Sequence, residues 1–252
     1  MTPEEIKSVL ANHADWLRDE NTGKRADFSN QSLSHQDLSN RDLSKVIFAN
    51  ANLTGTNLSN TQLFGADFSH ARLTHTDLSN ADMWSVDLSN ANLTCAVLYK
   101  TQLYKSSLKN ANLYNADLSY ADLAKTNLAY ADLSHAKLNH VRLRDANLSH
   151  TNLTNSTALF TDFSSANLSS TTLDGCDLYN AKLYDAKLGD HHVRTYSFQE
   201  YNCYRCDSEF IVGQHRHNIR EWKMFTEADL FVMDGQKLVV FYKNVLRNII
   251  DL

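Results

Sequence analysis

Between Phe28 and Leu188 a large apolar residue returns at every fifth position, and each of those 33 positions is Leu, Phe or Met except Ala158. Residues 111–123 show the unit without interruption: a small residue, Asp or Asn, Leu, then two polar positions. A period of five fits neither the 3.6 of a helix nor the alternation of a flat strand. Two positions before most of the large residues stands a small one, as at Ala51, Ala91, Ala131 and Ala166, with Thr56, Val86, Ser106 and Cys176 as variants. Residues two apart on an extended segment share a face, so the pair points inward and the other three point out. Two inward and three outward residues per unit predict a solenoid whose side is one short extended segment closed by a turn. One Pro and seven Gly in 252 residues leave little for loops between conventional elements.

Tandem A(D/N)Lxx units over residues 26–190 resemble the pentapeptide repeat family. The resemblance implies an all-β solenoid: a right-handed quadrilateral β-helix with four units, or twenty residues, per coil. The 33 units would make about eight coils, a rod on the order of 40 Å long at the usual strand spacing. Residues twenty apart should then stack. Phe28, Phe48 and Phe68 fall in one such column, which continues as Leu88, Leu108, Leu128, Leu148 and Leu168. Each buried Leu or Phe contributes about 1.5–3 kcal/mol, so these columns are the main stabilising term. The unit Ser156–Phe160 puts Ala158 where a Leu belongs. Either Leu159 slips inward as a bulge, or the coil is pinched and Leu159 and Phe160 face out.

Three segments follow: residues 1–25 as an N-terminal helical cap, 26–190 as the β-helix, and 191–252 as degenerate repeats with a helical C-terminal cap or dimerisation segment. Thr2, Pro3 and Glu5 form a helix start with a capping box. Ile6, Val9, Leu10, His13, Trp16 and Leu17 then recur at helical spacing until the polar stretch around Gly23. A bare first coil would expose apolar interior and unpaired backbone, so a cover is expected there. Gln31, Gln36 and Arg41 occupy slots that are small elsewhere, so the array begins irregularly.

Net charge is −5, which argues against bulk attraction to nucleic acid. No apolar run reaches membrane-spanning length and the N-terminus lacks a signal-peptide core, so the cytoplasm is expected. Four cysteines give no secreted disulfide framework. Charge along the array is patchy: −4 over residues 26–97, +4 over 98–144 and −4 over 145–190. Some relatives in the family bind DNA gyrase as acidic rods resembling duplex DNA, and some carry loops projecting from the helix. Here the phase never slips, which excludes inserted loops, and the block Lys100, Lys105, Lys109, Lys125, Lys137, Arg142 and Arg144 spoils a uniformly acidic surface.

The outward aromatics are the candidate site. Phe64, Trp84 and Tyr104 occupy one turn position in three successive coils, an exposed ladder suited to partner binding. Tyr184 revisits the column, and Tyr99, Tyr114, Tyr120, Tyr130 and Tyr179 stand in neighbouring ones, where mutual stacking is the plainer reading. Beyond Leu188 the pattern decays. Cys203, Cys206, His215 and His217 raise a zinc site, but the spacing matches no standard pattern, and packing of the cysteines as small apolar residues is the stronger expectation. Gly213, His217, Ile219 and Trp222 resemble a segment that follows the repeats in some phage and bacterial members. Leu238, Phe241, Tyr242, Val245, Leu246 and Ile249 then share an apolar face that covers the open end or forms a homodimer.

No phosphate loop, nucleophile elbow or metalloprotease helix is present, and His35, His75 and His135 fall at spacings the repeat itself explains. The chain is therefore expected to be non-enzymatic, with no cofactor and no resident metal. It reads as a rod that binds a protein partner, as a phage or bacterial factor acting on a host enzyme or defence complex. The alternative is a DNA mimic that inhibits or protects gyrase.

Overall fold

The structure, a computed structural model, describes residues 1–173, 175–178, 180–188, 191–192, 194–198, 201–206, 209–212, 215–230, 233 and 238. Helix α1 spans Pro3–Arg18. Its capping box is formed: the Thr2 N–H donates to Glu5 Oε2 at 2.7 Å and the Glu5 N–H to Thr2 Oγ1 at 3.2 Å. After Arg18 the chain doubles back, and the Lys24 N–H donates to the Asn12 carbonyl at 3.1 Å. Gly23 makes that return possible. Its φ is +68°, and a Cβ there would lie 2.2 Å from the Asn12 oxygen. Ile6 and His13 are buried against the first coil, and the Ala26 N–H donates to His13 Nδ1 at 3.2 Å.

From Asp27 onward the chain winds with a register of twenty. Parallel bridges join Asp27 to Ile47, Ser32 to Asn52, Asp37 to Asn57, Asp42 to Gln62, and so on without a slip to Asn167 and Lys187. Four five-residue units separate bridged positions, so each unit is one side of a four-sided coil. The sides are single bridges rather than long strands because every unit bends after its third residue. Residues 111–115 show why this composition suits the shape, since all five N–H groups find partners. Ala111 donates to the Leu108 carbonyl at 3.0 Å, closing the preceding turn. Asn112 donates to Ala91 of the coil before at 2.9 Å, and Leu113 to Asp132 of the coil after at 2.7 Å. Tyr114 donates to the Oδ1 of Asn112 at 2.9 Å, which is what the Asp or Asn before each Leu is for. Asn115 donates to Ser134 of the next coil at 3.1 Å.

Inside, the central residues stack by column. Phe28 and Phe48 lie 5.5 Å apart between centroids, and Phe48 and Phe68 4.8 Å, nearly parallel in both pairs. Where the small slot holds a hydroxyl it is buried and bonded. Thr56, Thr76, Thr101, Thr151 and Thr171 donate to carbonyls of the coil before at 2.7–2.9 Å. The Ser156–Phe160 unit keeps the common register, for the Ala158 N–H donates to Asp177 at 2.7 Å. Ala158 points inward with no exposure, while Leu159 and Phe160 face out. The next central slot around that coil is Phe163, also fully buried. Ala and Phe together carry as many side-chain carbons as two leucines, so the coil stays filled without a bulge.

The winding ends at β1 (Lys187–Leu188), which pairs antiparallel with β2 (His191–His192). From Arg194 the described residues depart from the expected decaying repeats. Four strands described there, β3 (Arg194–Phe198), β4 (Tyr201–Cys206), β5 (Glu209–Val212) and β6 (His215–Asn218), pair antiparallel as one sheet in that order. The slots that are small from Val46 to Ala186 would here be His191, Tyr196 and Tyr201, too large for the interior of a coil. Helix α2 (Ile219–Met224) follows, with Trp222 wholly buried, and a helical turn begins at residue 227. Of the apolar face expected near the C-terminus only Leu238 is described, and it is buried. The rest of that face lies outside the described residues.

Candidate functional site: two aromatic edges

Each unit ends in a β-turn whose last residue has positive φ, between 54° and 64° for the 29 non-glycine cases described. Asn fills many of these, as at Asn60, Asn80 and Asn110, because its short polar side chain tolerates the left-handed region best after Gly. The four turns of a coil stack into four edges along the rod, and the outward side chains of the coils stand on those edges or between them.

The expected ladder lies on one edge. Phe64 is 48% exposed and Trp84 46%, and Tyr104 is half-buried. Trp84 and Tyr104 meet with centroids 5.5 Å apart and planes tilted by 56°. The backbone holds all three at successive rungs: Gly65 donates to the Trp84 carbonyl and Ser85 to that of Tyr104, both at 3.0 Å. Lys105 and Lys125 place their ammonium groups 5.3 and 6.0 Å from the Tyr104 centroid. Tyr184 in the same column is 65% exposed but stands four coils from Tyr104.

A second row was not legible as such from aromatic spacing alone, because histidine completes it. Tyr120, His140 and Phe160 stack face to face, at 4.7 Å and 9° and then at 4.9 Å and 2°. Tyr99 meets Tyr120 edge-on at 5.6 Å. Tyr120 has φ +64° and Phe160 φ +57°, costly for bulky side chains where the same column elsewhere uses Asn40, Asn60 and Asn80. A shorter pair, Tyr130 on His150 at 4.6 Å, occupies another edge, and Tyr114 meets His135 edge-on. The signal was available: residues twenty apart stack, so every turn histidine between two aromatics belongs to their row.

The remaining chemistry is sparse. Cys176 is buried in a small slot, where loss of solvent pushes its thiol up to about 11, away from nucleophilic character. Cys203 and Cys206 lie within strand β4, and the sheet register aligns Cys203 with Val212 and Val212 with His215. Among the described residues no three His, Cys, Asp or Glu gather as a metal site, and no helix is long and apolar enough to cross a membrane.

Comparison with known proteins agrees with this architecture. Residues 24–60, 32–69, 71–110, 106–145 and 161–190 match the model for pentapeptide repeats, in eight copies. Among solved structures, a trypsin-treated variant of QnrB1, a plasmid-mediated fluoroquinolone resistance protein, is similar at 21% identity with a TM-score of 0.55. The match covers 66% of this chain and 88% of that one. HetL from the cyanobacterium Nostoc, involved in heterocyst differentiation regulation, is 27% identical over 70% of this chain and 97% of its own, with a TM-score of 0.23. A pentapeptide repeat protein of the Arabidopsis thaliana thylakoid lumen is 24% identical over 47% of this chain and 69% of its own, with a TM-score of 0.31. No curated protein matches the sequence significantly. With more than half of its length accounted for by the repeat model and its coils built on a twenty-residue register, the chain belongs to the pentapeptide repeat family and has that family's right-handed quadrilateral β-helix.

Proposed function

We propose that the protein is a non-catalytic rod, closed at its N-terminal end by α1, that holds a protein partner along the Phe64–Trp84–Tyr104 edge. The matching family is a repeat family rather than a catalytic one. The observation that carries the reading is the ladder itself: three successive coils present large rings at one turn position, two of them nearly half exposed. Exposed Trp and Tyr in a contiguous row are the usual anchors of protein interfaces. Ala124 occupies the same column one coil on, so alanine fits this slot without disturbing the coil.

The test is affinity capture from the source cell with the wild-type chain and with Phe64→Ala/Trp84→Ala/Tyr104→Ala. The variant is expected to keep its circular dichroism and lose the partner, and an unchanged set of captured proteins would refute the reading. A DNA-mimic action on gyrase is separated by a supercoiling assay. The partner-binding rod leaves supercoiling untouched, whereas inhibition or protection of gyrase would replace it.

A further inference from the structure

The two aromatic edges border the same side of the rod. Tyr99 and Tyr104 belong to one coil and flank the side made by residues 101–103. From there one row runs back through Trp84 to Phe64, and the other runs forward through Tyr120 and His140 to Phe160. Together they cross this side as a diagonal band over six coils, about 24 Å at ordinary strand spacing. On the three coils where the rows overlap and diverge, Lys100, Lys105, Lys125, Arg142 and Arg144 face two carboxylates, Asp122 and Asp145. That is a local net of +3 on these three coils of a chain whose total is −5. Asp82 and Asp162 on the same side of the outlying coils bring the whole band to +1, so the positive charge is concentrated around the three lysines. Arg142 and Arg144 are partly answered, by Asp122 at 3.4 Å and Asp162 at 3.9 Å. Lys100, Lys105 and Lys125 are exposed and have no carboxylate within ion-pair distance among the described residues. Each lies instead against a tyrosine ring.

We propose that this side receives an acidic, extended segment of a partner protein, whose carboxylates meet the three lysines while its apolar side chains lie along the ring rows. The proposal rests on the partner-binding reading above and names the chemistry of that partner. Charge is the first argument, since complementary potentials select and steer partners. Ring geometry is the second. In the Tyr120–His140–Phe160 row the facing ring planes are spent on one another and Tyr99 meets Tyr120 edge-on, so between successive rungs the outside meets ring edges. Edges carry the positive part of the aromatic quadrupole and favour carboxylate oxygens. A single-stranded nucleic acid would need a succession of open ring faces on which to stack its bases, and the planes stacked within this row are closed to it. The bulky residues kept at positive φ, where Asn is the local habit, fit a row retained for contact rather than for the turn.

The experiment uses the full chain and fluorescence anisotropy with three probes: a labelled peptide of repeated Glu-Glu-Leu, the same peptide with Lys for Glu, and a short oligothymidylate. The acidic peptide is expected to bind at low ionic strength and to weaken with salt. It should bind about tenfold less tightly to Lys100→Glu/Lys105→Glu/Lys125→Glu. Lys→Gln at the same positions supplies a milder variant should the reversal disturb folding, and Tyr120→Asn/Phe160→Asn removes the rings while installing the column's own turn residue. Failure of the acidic peptide to bind, equal binding by all variants, or tighter binding of the lysine peptide or oligothymidylate would overturn the proposal. If the cellular partner survives lysine reversal but not ladder truncation, only the acidic-segment inference falls. If it survives both, the reading beneath falls with it.

Discussion

Ala158 and Phe163 are a compensated pair, and a double-mutant cycle measures the compensation. Both are wholly buried, in consecutive central slots of one coil whose backbone is pinned to its neighbours by Ala158 N–H to Asp177 and Phe163 N–H to Lys182, each at 2.7 Å. Ala158→Leu alone forces three extra carbons into a filled layer that cannot expand along the rod, a cost of about 1–3 kcal/mol. Phe163→Leu alone removes three carbons, about 2.4 kcal/mol of transfer free energy at 0.8 per carbon, plus a cavity contribution. The double variant restores the Leu-Leu pairing of the other coils and should lie within about 1 kcal/mol of wild type. The expected coupling is therefore at least about 2 kcal/mol, read from urea unfolding followed by circular dichroism. Additive single effects, within about 0.5 kcal/mol, would show that the two side chains do not share space.

Gly23→Ala should loosen α1 and cost more than about 1 kcal/mol, because positive φ and a 2.2 Å approach to the Asn12 oxygen coincide there. Limited proteolysis between residues 18 and 26 would report it, and wild-type resistance would count against the docked turn. Thr101→Val removes the hydroxyl bond to the Leu78 carbonyl, but that carbonyl keeps a second bond from the Ala81 N–H at 3.1 Å. The loss should therefore stay near about 1 kcal/mol rather than the larger cost of an orphaned acceptor, as thermal melts would show. Burial lowers the His13 pKa below its ordinary 6.5, an effect that nearby Asp42 partly opposes. The unfolded chain then binds that proton first, so His13 stabilises fully above pH 6.5 and this contribution is lost as pH falls toward the depressed folded value. Asp27, held below its ordinary 3.8 by the Ser29 hydroxyl and N–H, adds a second loss as pH falls through its own lowered value. His13→Gln should flatten the first slope in melting temperature against pH, and Asp27→Asn should reduce the second. Slopes unchanged in these variants would assign the pH dependence elsewhere.

The coils were legible in the sequence because each unit carries its own complete set of instructions. Leu113 fills the core, Ala111 permits close backbone approach, and Asn112 accepts the Tyr114 N–H. The helix start at Thr2 was legible for the same reason, its two capping bonds lying within one turn. What escaped depends on residues distant in sequence. His140 reads alone as one more solvated turn residue, and only the stack with Tyr120 and Phe160 gives it a place. The direction of Leu159 and Phe160 stayed open because carbon count in the coil, not the local unit, decides it. The sheet of β3 to β6 was hidden because its strands lack the alternation that marks a half-buried sheet, and fading apolar fives imitate a worn-out repeat.

The twenty-residue register makes the rod a ruler with two kinds of graduation. Removing residues 106–125 would excise one coil, Tyr120 with it, and draw the rest of that ring row, His140 and Phe160, one pitch nearer to Trp84 while still looking the same way. Removing only 106–110 would rotate everything downstream by a quarter-turn and carry that row around to the neighbouring edge. Because each layer touches only the layers above and below it, the structure would tolerate either cut far better than a globular core would. Sliding and swivelling of binding surfaces are thus separate adjustments, set by whether sequence is lost in twenties or in fives.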